Sequence, residues 1–123
     1  MNESKVEVGK KGEAIAAGHL QSKGYKILCF NFRARRCEID LVAKKNGTLV
    51  FLEVKTTTSS FYKSPTPSRG QLRRLIYAAN SFIKTQNIKA KACRFDLIRI
   101  QSDKNSVKVE HLKDAFDPTS FLI

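Results

Sequence analysis

A chain of 123 residues and 13.9 kDa has room for one domain built on one hydrophobic core. Its 41% hydrophobic and 28% charged residues exclude a disordered chain, and no apolar run approaches the length of a membrane span. Twenty-three Lys and Arg against eleven Asp and Glu leave a net charge of +12, which favours a polyanionic partner: DNA, RNA or an anionic membrane surface.

Met1 to Glu7 lacks the apolar centre of a signal peptide, so a cytoplasmic location is expected. Val8 to Lys23 repeats apolar residues at helical spacing, with Val8, Gly12, Ile15, Ala16, His19 and Leu20 on one stripe. Glu13 falls at the margin of that stripe, where a carboxylate either borders the core or reaches over a sheet. Gly24 suits the left-handed residue that closes a helix, and Tyr25 to Phe32 reads as a first strand. Arg33, Arg35 and Arg36 follow it, either as a solvated turn or as guanidinium groups placed for bidentate phosphate contacts.

Two strand-like runs then flank Asn46-Gly47, a pair suited to a type I′ turn because both residues tolerate positive φ. With that turn, Leu41 faces Leu52, Ala43 faces Val50 and Ile39 faces Val54, giving one apolar side. On the other side Val42 faces Phe51, Asp40 faces Glu53, and Glu38 faces Lys55. Like charges directly opposed in a sheet destabilise it. Either this is a solvated sheet end with Glu38–Lys55 as a surface salt bridge, or a divalent cation lies between the acids and reverses the sign, as in oxygen-ligand sites for hard cations. Lys55 shares the face of Glu53, because side chains alternate along a strand.

The Ser-, Thr- and Pro-rich stretch from Thr56 to Arg69 reads as a mobile loop at about 57–66, carrying Phe61, Tyr62 and Lys63 beside the acidic cluster. Thr66-Pro67 reads as a helix start. Leu72, Leu75, Ile76, Ala79, Phe82 and Ile83 form the buried stripe of that helix. Arg69, Arg73 and Arg74 crowd its first turns, against the macrodipole, an arrangement relieved by a docked anion. Ala92 to Gln101 and Val107 to Leu112 complete the strands. Asp96 is expected to serve structure and His111 to be exposed, with Phe116, Phe121 and Leu122 packing back on the body. Cys29, Cys37 and Cys93 are an odd set without Cys-x-x-Cys spacing, which argues against a disulfide framework or a thiolate zinc site.

Glu38-Ile-Asp40 followed by Phe51-Leu-Glu53-Val-Lys55 resembles the Asp…Glu-x-Lys core of the PD-(D/E)XK nuclease superfamily, and more closely the small YraN-like proteins. The likeness continues through Gly12-Glu13, Ala16, Gly24-Tyr25, Asn31-Phe-Arg33, Arg94-Phe-Asp96 and Ala115-Phe116. Cys37 stands where that family usually has glycine, and Gln71 where it often has lysine. The resemblance implies a restriction-endonuclease-like α/β fold with an αβββαβ core, a mixed central sheet flanked by helices in a single domain. It also implies a Mg²⁺ site, with Mn²⁺ as a substitute, at Asp40, Glu53 and Glu13, and Lys55 as the catalytic cation. Gln71 then stands near the metal, and Arg33, Arg35, Arg36, Lys63, Arg69, Arg73 and Arg74 are candidates for holding nucleic acid, DNA foremost. The competing expectations are a non-catalytic nucleic-acid-binding module on the same fold and, more distantly, a scaffold.

Overall fold

The computed structural model describes residues 5–57, 68–103 and 105–116. Helix α1 (Lys5–Ser22) is followed by β1 (Lys26–Ala34), β2 (Cys37–Lys45) and β3 (Thr48–Thr57); then come α2 (Arg69–Gln86), β4 (Ala92–Ser102) and β5 (Val107–Leu112). The strands form one sheet in the order β1-β2-β3-β4-β5, antiparallel except for the parallel pair β3 and β4. That pair requires a long crossover, which α2 supplies. The expected αβββαβ order and mixed sheet are therefore present.

Each helix covers one face. On the α1 side Ala16 and Leu20 pack on Leu41, Ala43, Val50, Leu52, Ile98 and Ile100. On the α2 side Leu72, Leu75, Ala78, Ala79 and Phe82 pack on Ile39, Val42, Leu49, Phe51, Phe95 and Leu97, with Phe116 closing the cluster. Because both faces are covered, the central run Leu49–Leu52 is buried without alternation.

Local chemistry explains the element ends. Gly24, at φ 90°, closes α1: its own N–H donates to Gln21 O, and the Tyr25 N–H donates to Leu20 O. Asn46 and Gly47, at φ 51° and 81°, form the left-handed pair of the β2–β3 turn. Ser68 caps α2, its hydroxyl accepting from the Gln71 N–H at 3.0 Å. The cap is thus Ser68 and not Thr66, which lies with Pro67 outside the described residues. The same holds for Lys63, Phe61, Tyr62, most of the stretch assigned to a loop at 57–66, and the tail residues Phe121 and Leu122; Thr57 itself ends β3.

Three further expectations are corrected. The α1 stripe is rotated: Gly12, Ala16, Ala17 and Leu20 are buried, whereas Ile15 is 37% exposed. On this face Gly12, lacking a side chain, lets the helix approach Thr56. His111 is not exposed; its side chain is 9% accessible, and Nε2 lies 2.7 Å from Asp96 Oδ2. The β2–β3 register holds from Lys45↔Thr48 to Leu41↔Leu52 and stops there, so the pairs Asp40–Glu53, Ile39–Val54 and Glu38–Lys55 do not form as ladder partners. Beyond that point Ile39 packs on the α2 side and Val54 on the α1 side.

Candidate active site

The two central strands part at Asp40. Its Oδ2 accepts the backbone N–H of Val54 at 2.8 Å, so a side chain takes the donor that a continuing ladder would have used. Asp40 opens onto a cleft of about 400 Å³ on the α1 side, lined also by Val8, Gly9, Glu13, Val54, Lys55 and Thr56. Glu53 opens onto a second cleft of about 240 Å³ on the α2 side, with Arg36, Cys37, Glu38, Gln71, Arg74 and Leu75. The parted strand ends lie between the two clefts.

The carboxylates feel one another across that gap. Burial and then the Asp40 charge push the Glu53 carboxyl up to about 7, with Glu38 and Glu13 adding to the rise and Lys55 opposing it. Burial likewise raises Asp40, and Glu38 adds to this, against the Val54 N–H and Lys55. Glu13 is raised by burial and by the charges of Asp40 and Glu38, while the Asn31 hydrogen bond holds it down. Lys55 Nζ stands 3.8 Å from Glu53 Oε2, the ammonium 60% exposed and the carboxylate side chain 14%. Of the four residues expected in one site, Glu13, Asp40 and Lys55 line the first cleft and Glu53 the second, where it feels the charges of the other three.

Among the described residues, no three His, Cys, Asp or Glu side chains converge closely enough to cage a metal ion. Two parted carboxylates nevertheless suit Mg²⁺, an oxygen-seeking ion that uses one or two carboxylates and completes its shell with water and phosphate oxygens. The donor chemistry therefore fits the ion that the sequence motif implies.

The cations fall into groups. Arg36 and Arg74 line the second cleft beside Gln71 and Glu53. Arg33 Nε lies 3.5 Å from Glu38 Oε2, and the Arg35 guanidinium sits 5.8 Å from the centre of the Tyr77 ring. Arg69 and Arg73 are exposed on the first turns of α2. Asn31 was missed as a site residue: its Nδ2 donates to Glu13 Oε1 at 3.0 Å. The available signal was an asparagine inside a strand, a residue poor in strands and tolerant of left-handed backbone.

The model of an uncharacterised protein family, UPF0102, matches residues 12–100. The chain belongs to the UPF0102 family. A UPF0102 protein of Persephonella marina is 40% identical over 111 residues, covering 89% of this chain and 92% of its own length. One from Christiangramia forsetii is 37% identical over 112 residues, covering 89% and 93%. One from Chlorobium limicola is 38% identical over 124 residues, covering 94% and 96%. The UPF0102 match takes in Glu13, Asn31, Asp40, Glu53 and Lys55, so the whole acidic cluster lies inside the family's shared segment. Among the described residues no helix is long and apolar enough to cross a membrane.

Proposed function

We propose that this UPF0102 protein is a metal-dependent nuclease of the PD-(D/E)XK type, hydrolysing phosphodiester bonds in DNA. The observation that carries the reading is Glu53: a largely buried carboxyl pressed by the Asp40 charge, with the Lys55 ammonium 3.8 Å away. A buried acid under like-charge pressure is unfavourable unless it serves a purpose, and perturbed carboxyls gather at functional sites.

Asp40 and Glu53 would hold Mg²⁺, with the helix-borne Glu13 reaching it through water. Bound there, the ion supplies Lewis-acid polarisation of a phosphate oxygen and lowers the pKa of a coordinated water. Lys55 places a positive charge where negative charge grows as the phosphoryl centre is attacked. Gln71, Arg36 and Arg74 line the neighbouring cleft, where guanidinium groups pair with backbone phosphates and the amide orients a polar group. The excess of basic residues draws the polyanion in from a distance.

A second reading, nucleic-acid binding without cleavage, is favoured by the looseness of the acidic cluster and needs only the basic cleft. The two part in one assay. The purified protein is mixed with single-stranded, duplex, flapped and branched DNA in Mg²⁺, Mn²⁺ or chelator, beside Asp40→Asn and Glu53→Gln. Metal-dependent cutting lost in both variants supports the nuclease. Salt-sensitive binding without cutting, unchanged in both variants, supports the binding module.

A further inference from the structure

Asn31 behaves unlike an ordinary strand residue in two ways. Its φ of 51° is left-handed, in the middle of β1, where L-residues other than glycine are held at a cost of about 1–2 kcal/mol. Its side-chain amide also leaves the sheet and donates to Glu13 Oε1 on α1 at 3.0 Å.

The two features are connected through the strand opposite. The β1–β2 pairing runs Phe30↔Leu41, then skips to Phe32↔Ile39 in the same register, so Asn31 stands across from Asp40. At this step both strands change faces together. Ile39 and Phe32 pack on the α2 side, whereas Leu41 packs on the α1 side and Phe30 is 49% exposed. In an unbroken strand residues two apart share a face. The change leaves Asp40 lining the same cleft as Glu13.

We propose that Asn31 is the positioning residue of the acidic site. Its left-handed turn swings Asp40 to the α1 side, and its amide commits one oxygen of Glu13, leaving the other for a divalent ion. Asparagine is suited to both tasks, since it tolerates the left-handed region and carries a short N–H donor. Glycine would keep the turn and lose the donor; alanine would lose both. The proposal rests on the metal-dependent reading above.

Mn²⁺ binding by isothermal titration calorimetry, without substrate, tests it on wild type, Asn31→Gly, Asn31→Ala, Glu13→Gln and the Asn31→Gly/Glu13→Gln double variant. Circular dichroism checks that each is folded. Partners that orient a metal ligand are worth about 10–100-fold in affinity. Asn31→Gly is expected to fold and to bind Mn²⁺ about tenfold more weakly, with no further loss in the double variant beyond Glu13→Gln alone. Asn31→Ala is expected to bind at least as weakly and to melt lower than Asn31→Gly. Wild-type affinity in Asn31→Gly, or losses that simply add in the double variant, overturns the role of Asn31 alone. No Mn²⁺ binding by the wild type overturns both this role and the metal-dependent reading.

Discussion

Asp40 accepts the Val54 N–H through a side-chain oxygen, at 2.8 Å, at the place where β2 and β3 stop pairing. One carboxylate thus terminates the hairpin ladder and supplies an acid to the cleft between the parted strands. Structure and chemistry are joined at this residue, and substitutions separate them.

Asp40→Asn keeps an oxygen that can accept from Val54, whereas Asp40→Ala leaves a part-buried N–H without its partner, at a cost of about 1–3 kcal/mol. Denaturant melts at about pH 5, where Glu53 is protonated and repulsion is small, isolate this cost. Asp40→Ala is expected to be less stable than Asp40→Asn by that amount. Equal stabilities would show that the hydrogen bond contributes nothing.

The raised Glu53 carboxyl gives a pH dependence with a definite sign. Its pKa is about 7 in the fold against an ordinary 4.5, so the native state binds the proton more tightly. The resulting stability is complete below the ordinary value and is lost as pH climbs through about 7. The full difference is on the order of 3 kcal/mol for a side chain this buried. Glu53→Gln is therefore expected to be more stable than wild type at about pH 8.5, by on the order of 1–3 kcal/mol, and not at about pH 4. Mg²⁺ is expected to raise the melting temperature of the wild type at the higher pH and leave the variant unmoved. Thermal melts at the two pH values, with and without Mg²⁺, check both statements.

Much of this fold can be read from local pattern. The Asn46-Gly47 turn carries the register of the inner hairpin because its two residues alone satisfy a left-handed pair. The α2 stripe is read from Leu72, Leu75, Ala79 and Phe82, all buried as their spacing implies. The break at Asp40 is not visible this way. It goes with a side-chain hydrogen bond from Asp40 to the Val54 N–H and a left-handed asparagine in the neighbouring strand, neither of which the apolar spacing records. The two acids are legible as neighbours, but neither the end of the ladder before them nor their opening onto two clefts is. His111 was placed outside for a similar reason, since its partner Asp96 is distant in sequence and meets it only across β4 and β5.

Asp96 is fully buried, and its role lies away from the cleft. Arg94 grips it through Nε and Nη2, His111 Nε2 approaches Oδ2, and the Asp114 N–H donates to Oδ1 at 3.0 Å; Arg94 also reaches Tyr25 Oη. Burial alone would raise this carboxyl, but the hydrogen bonds from His111, Arg94 and the Asp114 N–H outweigh it and hold it below the usual range. Such a depressed acid lends stability above its ordinary pKa, and that stability fades as pH falls. Asp96→Ala is expected to cost about 2–3 kcal/mol, because it leaves the Asp114 N–H, the His111 ring and the part-buried Arg94 guanidinium without their shared partner. Denaturant titration measures the loss. Mn²⁺ affinity, read under conditions where the variant stays folded, should be unaffected.

Gly12 lets α1 lie against the end of β3: a methyl group added there would collide with the Thr56 hydroxyl. Gly12→Ala is expected to destabilise the protein by about 1–3 kcal/mol, despite the better helix propensity of alanine. Thr56→Ala in the same chain should recover most of the loss, since the displaced atom is the hydroxyl. A double-mutant cycle by thermal melting measures this, and strictly additive effects would exclude the contact.

Diffraction from a crystal soaked in Mn²⁺, recorded at the manganese absorption edge, bears most directly on the central claim that Asp40 and Glu53 together hold one divalent ion. The account predicts a single anomalous peak in the gap between the parted strands, within coordination distance of a carboxylate oxygen from each residue. An ion bound by only one of the two, or no ion between them, would contradict it.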